Sequence, residues 1–537
     1  MQDSRATVAP RFEDAIAALR RTFGYPAFRG VQERAVQAVL EGRDVLVLMP
    51  TGGGKSLCFQ VPALVLPGLT LVVSPLISLM KDQVDALERR GVSATFVNSS
   101  LPPSEMRERL DRAVRGELRL LYIAPERFDS ADFRERLPRL RVARLVVDEA
   151  HCVSEWGRDF RPAYLRLGRE RRKLGCPLVA LTATATPEAR ADIVFHLGMR
   201  RPVVLAGGFD RPNLAWRVDK VRDEPDRDRR LLRLVRRRRE GAAIVYAPTR
   251  RRVDALADLL NRSGVPATGY HAGAAASERQ RLQDRFMAER SPVLVATNAF
   301  GMGIDKPNVR LVVHHAMPGN LEAYYQEAGR AGRDGAPATC ILLYAPGDRG
   351  THEFLIDQSH PDVDVVRSVW VCLEPGALPG AVRSLTLQQL ARRAGIGGGA
   401  RQALAALRAL ENAGRLRIDR LTEDGSRGSG GATIRFLDAD PTAPSLWASL
   451  RADRRRELDR LLRMERYAGH RGCRRAFLLR YFGETPDGST CHNCDRCQRF
   501  ERDACSRPSP GKGGTLARRI RRRLHRLRPL PTGRSCA

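Results

Sequence analysis

Val45-Leu46-Val47-Leu48-Met49-Pro50-Thr51-Gly52-Gly53-Gly54-Lys55-Ser56 runs from four apolar residues through a proline and three glycines into a Lys-Ser pair. Four consecutive apolar residues bounded by turn formers read as a buried strand. A helix-compatible stretch follows, so the glycines fall at a strand-to-helix turn. Backbone N–H groups converge on phosphate at such a turn, and the positive end of the helix favours an anion. A strict phosphate-binding loop carries glycine five residues before Gly54, where this chain has Met49. The part that touches phosphate is kept. Thr51, Gly52, Gly53 and Gly54 offer the cradle, Lys55 reaches the β- and γ-phosphates of ATP, and the Ser56 hydroxyl suits Mg2+. A turn of no consequence would leave Gly-Lys-Ser at that junction unexplained.

Working outward, short apolar runs recur at 69–73, 118–123, 145–147 and 178–181, with helix-like stretches between them. That alternation indicates a parallel sheet with crossover helices. A second set follows at 243–246, 293–296, 311–313 and 340–343. Residues 217–240, with Pro225 and four arginines at 236–239, read as a linker followed by the first helix of a second domain. The expectation is two tandem α/β domains, 1–208 and 209–355. Asp148 and Glu149 come directly after Leu145-Val146-Val147, at the carboxyl end of a strand, where α/β sheets place their ligands. Asp148 suits Mg2+, and Glu149 suits activation of an attacking water.

Composition narrows the class. The chain has 537 residues, 43% of them hydrophobic, enough for several cores. No stretch approaches the roughly 18 unbroken apolar residues of a membrane span, and residues 1–15 lack an apolar signal core. A soluble, cytoplasmic protein is expected. Lys and Arg total 92 against 61 Asp and Glu, a formal charge of +31. Such an excess favours a polyanionic partner, although a general arginine bias would also raise it.

Beyond residue 360 the pattern changes. Segments 386–391 and 400–413 read as short helices, and 414–418 and 432–437 as strands around a Gly/Ser-rich loop at 424–431. Helix, helix, strand, loop, strand is the outline of a winged helix, expected over 360–445. A charged helical segment at 451–467 leads into Cys473, Cys491, Cys494 and Cys497. Their clustering favours a metal over disulfides. Residues 501–537, with an arginine block at 518–528, have too little apolar content for a core and read as a disordered basic tail.

Taken together, these motifs resemble superfamily 2 helicases, and specifically the RecQ family of DNA helicases. The resemblance spans about residues 23–344. It implies two RecA-like domains, followed by the winged-helix-like segment and a helical zinc-binding module at 450–500. The stretch Phe23-Gly24-Tyr25-Pro26-Ala27-Phe28-Arg29-Gly30-Val31-Gln32 is similar to the family's adenine-recognition segment. By that match Gln32 reads the adenine edge, Tyr25 stacks and Arg29 assists. Residues 152–162, containing Glu155, Trp156, Arg158, Phe160 and Arg161, resemble the aromatic-rich loop that senses single-stranded DNA. Aromatic faces and cations are the usual means of holding a single strand. The family's usual Gln and His stand here as Glu155 and Arg158.

In the second domain, residues 295–305, ending at Asp305, and 326–335 match the family's fifth and sixth motifs. Arg333 is then the arginine finger, Arg330 supports it, and Gln326 positions water or phosphate. The four cysteines resemble the family's zinc module, a closed tetrahedral Zn2+ site that is structural rather than catalytic. His492 is the rival fourth ligand. The order is unusual, because in the family the winged helix follows the zinc module, and no HRDC-type domain is evident. The resemblance implies ATP-driven 3′-to-5′ movement on single-stranded DNA and unwinding of duplex DNA by a monomer. It also implies a single-strand-binding protein as a partner in repair and recombination. An RNA helicase shares the carboxylate and sixth-motif signatures, and a DNA-binding protein regulated by its ATPase is a further alternative.

Overall fold

Short, largely apolar runs become the inner strands of two sheets in this computed structural model. It describes residues 11–50, 52–154, 161–238, 240–301, 306–373, 379–422, 430–437 and 444–505. The first sheet comprises β1 (Val45–Leu48), β2 (Leu69–Val73), β3 (Ala94–Val97), β4 (Leu120–Ile123), β5 (Val142–Val147), β6 (Leu178–Thr182) and β7 (Val203–Ala206). All are parallel, in the order β3-β4-β2-β5-β6-β1-β7. The second comprises β8 (Leu214–Lys220), β9 (Ala242–Tyr246), β10 (Thr268–Tyr270), β11 (Val293–Ala296), β12 (Val309–His314) and β13 (Ala338–Tyr344). It too is parallel throughout, in the order β10-β11-β9-β12-β13-β8. Helices cover both sheets, which is the only way such strands can be buried on two sides.

Arg217 does not begin a linker: it lies inside β8, and the chain crosses between the sheets over 207–213. Leu214, Trp216 and Val218 point into the core while Arg217 is exposed. An edge strand with one open face alternates apolar and charged residues, and so it reads as a charged stretch.

After the second sheet come helices Asp348–Ser359 and Val363–Cys372, then β14 (Val382–Thr386). Helices Leu387–Arg393 and Gly399–Asn412 follow, with β15 (Leu416–Thr422) and β16 (Gly431–Phe436). The three strands form an antiparallel sheet in the order β14-β16-β15. Leu407, Leu410, Ile434 and Phe436 are fully buried in its core together with Trp370. Most of the glycine-rich loop at 424–431 lies outside the described residues, as does the basic tail beyond residue 505.

A 26-residue helix, Pro444–Gly469, then carries the chain back onto the second sheet. Tyr467 packs on Tyr324 at 5.2 Å, and Tyr324 and Tyr325 flank Trp216 at 5.7 and 6.0 Å. Phe482, from helix Arg474–Tyr481 and its cap, stacks on Phe209 at 5.0 Å and meets Tyr325 at 4.8 Å. One aromatic core therefore joins the cysteine-bearing segment to the crossing between the sheets. Phe482→Ala empties a fully buried ring site at that junction, and deletions of this kind cost about 3–5 kcal/mol. A denaturant titration followed by intrinsic fluorescence should show the loss; an unchanged midpoint would mean the junction contributes little to stability.

Candidate active site and metal centre

β1 delivers the glycine turn, and two of its glycines are conformationally required. Gly52 and Gly54 have φ of +83° and +75°, and a Cβ on Gly54 would lie 2.5 Å from Gln32 Nε2. Thr51 lies outside the described residues. Gln32 is buried and ties the turn to the preceding segment. Its Oε1 accepts from Arg29 N at 2.8 Å, and its Nε2 donates to Gly53 O at 2.9 Å. Tyr25 is half exposed beside this segment. Lys55 Nζ donates to Met49 O at 3.1 Å, folding the lysine over its own loop. Ser56 directly precedes helix Leu57–Val65 and takes up its first turn through Gln60 N→Ser56 O at 2.9 Å.

The carboxylates stand opposite, at the end of β5. Asp148 N donates to Val73 O at 2.9 Å, and Asp148 Oδ1 accepts from Glu149 N at 2.9 Å. Tyr164 Oη donates to Asp148 O at 3.1 Å. Glu149 sits at φ +47°, a left-handed conformation that costs a β-carbon-bearing residue roughly 1–3 kcal/mol and is typical of functional turns. Burial, then the neighbouring Glu149, pushes the Asp148 carboxyl up to about 7, while Lys55 acts in the opposite direction. Burial likewise pushes the Lys55 ammonium below the usual lysine range, against the pull of Glu149 and Asp148. Each charge in this site thus depends on its opposite neighbours.

His151, which the sequence reading passed over, links this pair to the next strand. Its Nδ1 lies 3.2 Å from Glu149 Oε2 and 2.9 Å from Thr182 Oγ1 at the end of β6. An imidazole two residues after the strand-end Glu149 was the available signal. Trp156, Arg158 and Phe160 lie outside the described residues. Arg161 is described, and its Nη1 donates to Pro75 O at 3.0 Å. It ties the start of helix Pro162–Leu165 to Pro75.

The second domain contributes its own residues to the same cleft. Gln326 is buried on helix Leu321–Ala328, and Arg330 is buried just beyond it. Arg330 Nε and Nη1 have no hydrogen-bond partner among the described residues. A Cβ on Gly301 would lie 2.7 Å from Arg330 Nη2, so that arginine lies against Gly301, within the fifth-motif stretch. Asp305 lies outside the described residues. A Cβ on Gly52 would lie 3.3 Å from Arg333 Cγ and Cδ. The second domain's arginine therefore rests on the first domain's glycine turn. The buried donors of Arg330, a lysine and a glycine cradle fit a polyphosphate, and the Ser56 and Asp148 oxygens fit Mg2+.

The four thiols converge as well. Cys473, Cys491, Cys494 and Cys497 place their sulfurs within 4.8 Å of one another. Cys491 Sγ and Cys497 Sγ are 3.9 Å apart, close to the roughly 3.8 Å that tetrahedral Zn–S bonds of 2.3 Å impose. Backbone amides of Ala476, Cys494 and Cys497 point at sulfurs from 3.3 to 3.5 Å, an arrangement that favours thiolate. His492 turns away to Glu501, Nδ1 to Oε1 at 2.5 Å, which rules it out as the fourth ligand in this arrangement. Arg474, fully buried beside Cys473, pairs with Asp495 and locks the two halves of the cluster together. The donor set fits Zn2+.

Family comparisons agree with this geometry. Residues 29–193 match the DEAD/DEAH box helicase family, residues 226–335 the helicase conserved C-terminal domain, and residues 433–498 the RecQ zinc-binding domain. Among solved structures, the DUF1998 helicase MrfA bound to DNA and AMPPNP superposes with a TM-score of 0.53 at 20% identity. That match covers 64% of this chain and 52% of MrfA. Yeast Dbp5 bound to RNA and ADP BeF3 gives 0.51 at 20% identity, covering 65% of this chain and 91% of Dbp5. These likenesses show the fold alone, two tandem parallel-sheet domains; the family matches place the chain in the DEAD/DEAH box helicase class.

Sequence relatives are more specific. The chain is 46% identical over 344 residues to the ATP-dependent DNA helicase RecQ of Bacillus subtilis, covering 64% of this chain and 58% of that protein. It is 41% identical over 359 residues to the probable ATP-dependent DNA helicase RecS of the same organism, covering 66% and 72%. The rat ATP-dependent DNA helicase Q5 is 46% identical over 360 residues, 63% of this chain and 37% of the rat protein. The chain belongs to the RecQ family of superfamily 2 helicases. It spans just over half the length of the first curated relatives it matches.

Cys494→Ser should leave the purified protein well below one zinc per chain by elemental analysis. The segment 470–500 should then become protease-sensitive, since structural zinc supplies folding energy directly. Stoichiometric zinc in that variant would remove Cys494 from the ligand set.

Proposed function

We propose that this chain is an ATP-dependent DNA helicase that moves 3′ to 5′ along single-stranded DNA and unwinds duplexes in repair and recombination. The observation that carries the reading is Arg333 of the second domain lying against Gly52 of the first, with Lys55 facing Asp148, Glu149 and Arg333. In this arrangement Gly52 to Gly54 and Lys55 hold the phosphates, and Gln32, Arg29 and Tyr25 hold the base. Ser56 and Asp148 would bind Mg2+, which when present neutralises phosphate charge and orients the γ-phosphoryl group. Glu149 takes the proton from the attacking water. Arg330 and Arg333 meet the charge that spreads onto the γ-phosphoryl oxygens, and an arginine in that role is worth roughly 10³–10⁵ in rate. Because the arginines come from the second domain, closing the cleft and completing the catalytic set are one event.

The remaining assignments follow from the same reading. Single-stranded DNA lies across the two domains near residues 155–161, and the +31 charge favours its phosphates. Segment 360–445 serves as a winged helix, ahead of the zinc module. The enzyme acts as a cytoplasmic monomer, with a single-strand-binding protein as a partner. No helix among the described residues is long and apolar enough to cross a membrane.

Lys55→Ala should abolish DNA-stimulated ATP hydrolysis while the protein remains folded; retained turnover would overturn the role of Lys55. The direct test of the whole reading compares 3′-tailed with 5′-tailed duplexes, in DNA and RNA, with ATP and Mg2+. Unwinding confined to 3′-tailed DNA is expected. Unwinding of RNA alone would assign the motor to RNA, and DNA-stimulated ATPase without unwinding would make it a nucleotide-regulated binding protein.

A further inference from the structure

Residues 207–213 carry the chain from β7 of the first sheet to β8 of the second. In the middle, Arg211 turns its guanidinium onto three backbone carbonyls. Nη1 donates to Gly329 O at 3.2 Å, and Nη2 donates to Ala331 O at 2.7 Å and Gly332 O at 3.0 Å. Two residues on, Asn213 Nδ2 donates to Gly332 O at 2.8 Å and to Ala336 O at 3.0 Å. These carbonyls belong to the turn that leaves helix Leu321–Ala328. Carbonyls there have no partner within the helix, and the helix dipole presents its negative end. A planar fork can satisfy several such oxygens at once, which a compact ammonium does less well. The fit is close: Gly332 has φ +55°, and a Cβ there would lie 2.4 Å from Asn213 Nδ2.

The clasped turn is the one that carries the two arginines. Arg211 holds the carbonyls on either side of Arg330 and the carbonyl immediately before Arg333. The strap around Arg211 is itself anchored. Tyr325 Oη donates to Phe209 O at 2.5 Å, Asp210 pairs with Arg475, and Asn493 Nδ2 donates to Pro212 O at 3.1 Å. The crossing between the sheets and the arginine turn are thereby joined as one piece.

We infer that Arg211 is a positioning residue for ATP hydrolysis, holding the turn that bears Arg330 and sets Arg333 against the glycine loop. It touches no nucleotide and acts through the backbone of residues 329–332. The inference rests on the arginine-finger role proposed above. Displacing a catalytic group by about 1 Å costs on the order of 10²-fold in rate, whereas ground-state binding by the first domain is left intact.

The test uses the full chain with Arg211→Ala and Arg211→Lys. Three quantities are measured: ATPase with saturating single-stranded DNA, affinity for Mg2+–ADP, and affinity for ADP–aluminium fluoride, which mimics the transferring phosphoryl group. Arg211→Ala should lower kcat about 10- to 100-fold and weaken aluminium fluoride complex formation about tenfold or more, with the KM for ATP and the ADP affinity within about twofold of the parent. Arg211→Lys should restore part of both losses. Should Arg211→Ala not fold, Arg211→Lys alone is decisive, its expected result being a loss of about threefold or more in kcat at unchanged ADP affinity. An unchanged kcat, or an equal loss of affinity for ADP and for the analogue, would overturn the inference. Absence of ATPase in the parent would instead overturn the proposed function, and the ADP-against-analogue comparison would still decide the role of Arg211.

Discussion

Arg333 resting on Gly52 is the contact on which the rest of the architecture depends. Neither sheet contains a complete site. The first supplies the glycine turn, Lys55 and the carboxylates, and the second supplies guanidinium groups. The glycine turn and the carboxylates stand at the carboxyl ends of β1 and β5, whereas Arg330 and Arg333 come from the turn that leads into the amino end of β13. Burial in the cleft disfavours every charge it holds, raising Asp148 and lowering Lys55. Opposite charges across the cleft offset that penalty, and the loss of any one partner leaves another uncompensated.

Two subdomains so loosely linked in sequence need bracing, and the cysteine module provides it. A segment of about fifty residues is too small for a self-sufficient core, and metal binding compensates for the missing apolar burial. Here the module also shares an aromatic core with its neighbours through Phe482, Phe209, Tyr325 and Tyr467. Ion pairs such as Arg349–Glu465, at 3.0 Å, add register at the surface and contribute little energy of their own.

The legible parts of the molecule were those whose chemistry is local in the chain. β1 and the glycine turn are contiguous, Asp148-Glu149 follow their strand directly, and three of the four cysteines lie within seven residues. Strands buried on both faces were legible because they are uniformly apolar. β8 was hidden by its exposed charged face, and β3, β7 and β10 are three- or four-residue strands without a distinctive run. Arg161 illustrates a different limit. Its residue type fits a DNA contact, and one of its donors, Nη1, also reaches Pro75 O, a partner 86 positions away that no local spacing shows.

Local order in the sequence thus carried the class of protein, the glycine turn with its Lys-Ser pair, the strand-end carboxylates and the thiol set. Each is a short spacing that a single turn or strand end converts into geometry. Only the tertiary structure decided that Arg333 meets Gly52, that His151 joins Glu149 to Thr182, and that Arg211 clasps the turn bearing the arginines. These contacts join residues brought together by strand order and by the crossing between the sheets. That order is selected by burying apolar faces across the whole molecule, a sum over many distant residues that no short stretch contains.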